Sequence, residues 1–179
     1  VVLVTPEALA AVSSLRHPAR CVVVVERAAL PALEPGSLAA AVGLRLHGLA
    51  DPGNVGALIR SAGALGPAHV ALGPGCADPV SPRALRASMG AVFRVPLTTL
   101  DAEVPGRRVA LVAGAPTELQ DLDLSPPVAF ELGAERAGLP PEVPAAADAV
   151  AGIPQAAGAE SLNVAAAGAI ALYELRRRP

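Results

Sequence analysis

Short apolar runs alternate with helical patterns along this chain, and that alternation restricts it to an α/β architecture with a mostly parallel sheet flanked by helices. The clearest unit runs from Arg45 to Ala62. Arg45-Leu46-His47-Gly48-Leu49 reads as a strand. Asp51-Pro52 starts a helix, with Asp51 as cap and Pro52 in the first turn. Val55, Leu58, Ile59 and Ala62 then fall at i, i+3, i+4 and i+7, one apolar stripe facing a sheet.

The same reading extends along the chain. Thr5-Pro6-Glu7 opens a short helix to about Leu15. Cys21 to Val25 is continuous and largely β-branched, which predicts a buried strand. Pro31, Pro35 and Gly36 break the stretch from Ala28 to Val42, leaving at most one clean half-helix. Further strands are expected at Ala68 to Leu72, Val92 to Leu97, Arg108 to Ala113, Val128 to Leu132 and Ala149 to Ile153. Helices are expected from Ser81 to about Met89, from Pro140 over a short span, and from Ser161 to Arg177, with a turn at Asp121 to Leu124. Ser161 stands where that last helix would be capped. Residues 1–20 read as an N-terminal segment or linker, the end of a preceding unit, and 21–179 as one domain; a complete minimal chain is the other reading.

Hydrophobic residues make up 53% of the 179, but aromatics only 2%, so the core must come from Ala, Val and Leu at close backbone spacing. All 14 basic residues are Arg, and the net charge of −2 excludes a chain that grips nucleic acid over its whole surface. Any such contact must come from a local cluster, a partner subunit or a further domain. Cys21 and Cys76 have no metal-ligand spacing and read as free thiols. His17, His47 and His69 have none either and read as structural, so no metal is expected. Without a secretory signal or an apolar run long enough to span a membrane, a cytoplasmic location is the default.

Three stretches carry chemistry. The first is Asp51-Pro52-Gly53-Asn54-Val55-Gly56-Ala57-Leu58-Ile59-Arg60. The second is Leu132-Gly133-Ala134-Glu135-Arg136-Ala137-Gly138-Leu139. The third is Ile153-Pro154-Gln155 through Ser161-Leu162-Asn163-Val164. Each follows an expected strand, and ligands in open α/β sheets bind beyond the strand carboxyl ends. A helix N-terminus after the third stretch offers free N–H groups and partial positive charge. The loop Gly73 to Pro79 is not a dinucleotide fingerprint, since it runs into Pro79 instead of a helix.

In order and spacing, the three stretches resemble the three motifs of the SpoU (TrmH-like) family of RNA ribose 2′-O-methyltransferases, from about Arg45 to Glu174. The resemblance implies a SPOUT fold with a C-terminal trefoil knot, S-adenosylmethionine as methyl donor, RNA as substrate (ribosomal ahead of transfer RNA) and a homodimer. Residue by residue, it implies catalytic roles for Arg60, Asn54, Glu135, Ser161 and Asn163. It places the donor at Gly133, Ile153 and Leu162. Arg83 and Arg86, three apart on one helical face, are candidates for RNA phosphate contacts. Gln155 departs from the family, where methionine is common, and so do Arg136 and Ala137.

Arg60 is off the apolar stripe, and helical side chains lean toward the N-terminus, so it is expected to reach back toward Asn54. The family's arginine is held to be a general base, which conflicts with a guanidinium pKa above about 12. Electrostatic fixing of a phosphate or of the ribose oxygen suits it better. Two other readings remain open at this stage. One is a non-catalytic RNA- or ribosome-binding module on the same scaffold. The other is a nucleotide- or flavin-dependent α/β enzyme, which the lack of a Gly-rich phosphate loop disfavours.

Overall fold

A computed structural model describes residues 2–13, 20–156, 158 and 161–178. Six strands form one sheet: β1 (Val42–His47), β2 (His69–Leu72), β3 (Leu97–Thr99), β4 (Arg107–Leu111), β5 (Val128–Gly133) and β6 (Ala149–Ala151). Their spatial order is β3-β2-β1-β5-β4-β6 and every pairing is parallel. Among the described residues, five α-helices accompany them: α1 (Pro6–Val12), α2 (Pro52–Leu65), α3 (Pro82–Ser88), α4 (Glu142–Ala146) and α5 (Val164–Arg176). Because β4 lies between β5 and β6, the chain crosses out of order to reach β6. A knotted path needs such a crossing.

The core follows from the stripe on α2. Val55, Leu58, Ile59 and Ala62 are all buried, packed with Leu44, Leu46, Phe130 and Leu132 of the central strands and Leu172 of α5. Small residues let these layers close. A Cβ on Gly168 of α5 would stand 2.3 Å from Leu58 Cδ2 and 3.1 Å from Leu132 Cδ1, so any larger residue there would force the Leu58 side chain to shift.

Charge is buried elsewhere in the sheet. Glu131 of β5 is fully buried, and its Oε1 accepts from Arg45 Nε at 3.0 Å and Arg108 Nε at 2.5 Å. Its Oε2 lies 2.5 Å from His47 Nε2. Burial works against the charge on Glu131; His47, Arg108 and Arg45 more than offset it, and the carboxyl titrates below its ordinary value. His69 is also fully buried. Its Nδ1 is 2.8 Å from the Ala39 carbonyl, and burial holds its pKa below the ordinary value.

Several expectations are corrected. Cys21 to Val25 forms no strand, and Val23 and Val24 are 74% and 93% exposed. The edge strand β3 makes its isolated bridge to Ala32, so the valine run has no ladder to join. Val92 to Leu97 divides into a 3₁₀ turn at Ala91–Phe93 and the start of β3. The helix expected to reach Leu15 is described only to Val12; His17 lies outside the described residues. The last helix begins at Val164, not Ser161, because Asn163 caps it. Among the described residues, no helix is long and apolar enough to cross a membrane, and no group of His, Cys, Asp or Glu is placed to hold a metal ion.

Candidate active site

The loops after β1, β5 and β6 meet beyond the carboxyl ends of the strands, and each brings one polar side chain to the others. Asp51 starts α2 by accepting from Gly53 N at 2.6 Å and Asn54 N at 3.1 Å, which sets the first turn and presents the Asn54 side chain. After β5, the chain folds back in a tight loop. Ala134 N donates to Gly138 O at 3.1 Å and Gly138 N to Ala134 O at 2.8 Å, with Gly138 at φ +69°, and Glu135 stands on that loop. After β6, Asn163 caps α5, its Oδ1 accepting from Ala165 N at 2.9 Å and Ala166 N at 3.3 Å.

These three residues form one hydrogen-bonded chain. Asn163 Nδ2 donates to Asn54 Oδ1 at 3.1 Å, and Asn54 Nδ2 donates to Glu135 Oε1 at 2.5 Å. The α5 N-terminus is thereby linked through two amides to a carboxylate. Polarity runs one way, because each amide has one oxygen and one NH₂ group. Glu135 is exposed, so its remaining acceptor capacity faces outward.

Beside this chain lies a cleft of about 110 Å³. Gly133, Ile153 and Leu162, the three residues proposed for the donor, all line it, together with Ser161, Gln155 and Ala167. The remaining lining is mainly apolar, including Leu111, Leu132, Leu139 and Val164. Such a wall, with backbone groups at the strand ends, fits the flat apolar face of a purine. Glycine at Gly133 is also a packing requirement. A Cβ there would stand 2.1 Å from the Gly138 carbonyl carbon, so the close backbone approach is to the chain's own loop.

Arg60 is not brought into the group. It is exposed on α2, roughly 9 Å along the axis from Asn54. It has no hydrogen bond or ion pair among the described residues and does not line the cleft. The expected reach back toward Asn54 is therefore absent within one chain. Arg83 pairs with Asp51 Oδ2 at 2.9 Å, beside the start of α2, and Arg86 is exposed on α3. Ser161 borders the cleft and is exposed.

The sequence reading overlooked Glu131 and its partners. The available signal was a single carboxylate inside the apolar run Val128 to Leu132; Arg45 is its register partner on β1, and Arg108 on β4 pairs two positions away, with Ala129.

A family model described as the SpoU rRNA Methylase family matches residues 41–173. An uncharacterized tRNA/rRNA methyltransferase of Synechocystis is 36% identical over 148 residues, 78% of this chain and 54% of that protein. Among solved structures, the AdoMet-bound rRNA methyltransferase of Sinorhizobium meliloti superposes with a TM-score of 0.71 at 36% identity, covering 76% of this chain and 56% of that one. An RNA 2′-O ribose methyltransferase gives 0.75 at 29% identity, covering 97% and 70%. The chain spans about half the length of the curated relatives it matches.

Proposed function

The chain belongs to the SpoU rRNA methylase family, and from that premise we propose that it carries a methyl group from S-adenosylmethionine to a ribose 2′-hydroxyl of RNA, ribosomal RNA ahead of transfer RNA. The observation that carries this reading is the Glu135–Asn54–Asn163 chain beside a cleft lined by Gly133, Ile153 and Leu162. An RNA 2′-O ribose methyltransferase among the structural neighbours supports the ribose oxygen as acceptor.

When bound, S-adenosylmethionine supplies a methyl group on a positively charged sulfur. The chain's task is to align an oxygen with that methyl and let the hydroxyl proton leave. In this reading Asn54 and Asn163 hold the three loops in fixed relation, and Asn54 orients the Glu135 carboxylate. Glu135 in turn accepts a hydrogen bond from the substrate or from an arginine. Ser161 contributes a hydroxyl at the cleft mouth. Arg60, charged at any working pH, holds a phosphate or the ribose oxygen. Arg83 and Arg86 on α3 contact RNA phosphates. The proposal includes a homodimer, because Arg60 stands away from its own chain's cleft and would complete a partner's. The largely apolar α5 supplies surface for that contact.

The test is incubation of the protein with methyl-labelled donor and bulk RNA. Label transferred to RNA is the expected result. RNA that is bound but unlabelled would select the non-catalytic RNA-binding module instead.

A further inference from the structure

Ile153, Pro154 and Gln155 carry the chain away from β6 along the wall of the cleft. The Gln155 side-chain oxygen Oε1 is buried there with no hydrogen-bond partner among the described residues. A buried amide oxygen left unpaired costs free energy, and native structures seldom leave one so without a reason. Here Gln155 lines the cleft, where an N–H from a bound molecule would satisfy the orphan.

The surroundings decide which N–H. Leu111, Ala113, Leu139 and Ile153 share the wall, and among the described residues none that lines the cleft is charged. A cation placed there would lose its hydration without a counter-charge, so a neutral donor is favoured. S-adenosylmethionine carries one group of each kind: the neutral 6-amino group of adenine and the charged α-ammonium. An ammonium would find its counter-charge next door, in the hollow that Gln155 also borders, where Glu118 accepts from Gln120 Nε2 at 2.8 Å.

We infer that Gln155 is a specificity-determining residue of the donor site: Oε1 accepts a hydrogen bond from the 6-amino group of adenine, so the cleft selects adenosyl over inosyl ligands. The inference rests on the cleft being the donor site. Gln155 is on a loop and only half-buried, so replacing it leaves the packed core intact.

Titration calorimetry on the full chain tests it with three ligands: S-adenosylhomocysteine, its inosyl counterpart, and 5′-methylthioadenosine, which keeps adenine but lacks the amino-acid end. The unaltered protein should prefer the adenosyl over the inosyl ligand by about tenfold or more. Gln155→Leu should weaken S-adenosylhomocysteine and methylthioadenosine by the same factor and erase the preference. Loss of affinity for S-adenosylhomocysteine alone would assign Gln155 to the ammonium and overturn the inference. Equal affinity of the unaltered protein for adenosyl and inosyl ligands would overturn it without any variant. Binding of none of the three would remove the donor-site reading itself, and the inference with it.

Discussion

Asn163 Nδ2 donates to Asn54 Oδ1 at 3.1 Å, joining the cap of α5 to the first turn of α2 across 109 positions of sequence. Asn163 serves two ends at once. Its oxygen takes two backbone N–H groups of α5, and its NH₂ fixes the amide orientation of Asn54, which then aims its own NH₂ at Glu135.

The two roles of Asn163 separate in Asn163→Asp. Aspartate caps a helix as well as asparagine does, and its charge suits the α5 N-terminus, so the melting temperature should hold. The N–H to Asn54 is lost, however. Asn54 Oδ1 would then face a carboxylate oxygen, and turning its NH₂ toward the aspartate would turn it away from Glu135. Methyl transfer should fall at least about tenfold, as expected when a charged hydrogen-bonded group is left misaligned. Asn163→Ala should lower stability as well, by about 1 kcal/mol from the lost cap. Melting curves with single-turnover methylation resolve the two.

Gly133 and Ala167 both line the cleft but should respond differently. Any side chain at Gly133 collides with the Gly138 backbone, so Gly133→Ala should loosen the Ala134–Gly138 loop and lower the melting temperature. Ala167 is half-buried on α5 and faces the cleft. Ala167→Leu should leave stability within about 1 kcal/mol while abolishing donor binding by filling the space. Calorimetry with S-adenosylhomocysteine reads the second effect.

Two buried groups make stability depend on pH in separate windows. The folded-state pKa of His69 is depressed by burial, so its contribution is full above the unfolded value of about 6.5 and is lost as pH falls. Glu131 is depressed by its partners despite burial, so its contribution is full above about 4.3 and is lost below that. Thermal melts should show a decline beginning below about pH 6.5 and a second one below about pH 4.3. His69→Gln should flatten the first. Glu131→Gln, which leaves arginines without their buried carboxylate, should cost about 3 kcal/mol at neutral pH.

Arg60 separates catalysis from folding. Exposed on α2 and without partners among the described residues, it should tolerate Arg60→Ala at a cost within about 1 kcal/mol. Donor affinity should persist, since Arg60 does not line the cleft. Methyl transfer should slow by roughly a hundredfold, the scale of a lost electrostatic donor. Arg60→Lys should rescue poorly, because a point charge cannot reproduce a planar two-pronged contact. Near-normal turnover in Arg60→Ala would remove it from the mechanism.

The residues show how far a sequence can be read here. The α2 stripe was legible because helical periodicity and an Asp-Pro start are local signals, and all four stripe residues are buried. The strand order of the sheet was not, since nothing local says that β4 inserts between β5 and β6. Cys21 to Val25 misled because an apolar β-branched run signals burial only where a strand partner exists. The cleft trio Gly133, Ile153 and Leu162 came from the resemblance, while the link from Asn163 to Asn54 depends on two loops meeting in space. The cap passed from Ser161 to Asn163 for a similar reason: both residue types cap helices, and only the tertiary path selects one.

The position of the transferred methyl group tests the central claim most directly. RNA labelled by the protein and a methyl-labelled donor is digested with alkali, which cleaves only where a free 2′-hydroxyl can attack the neighbouring phosphate. Ribose 2′-O-methylation predicts that the label survives in alkali-resistant dinucleotides. Label recovered wholly in single nucleotides, on the base, would contradict it.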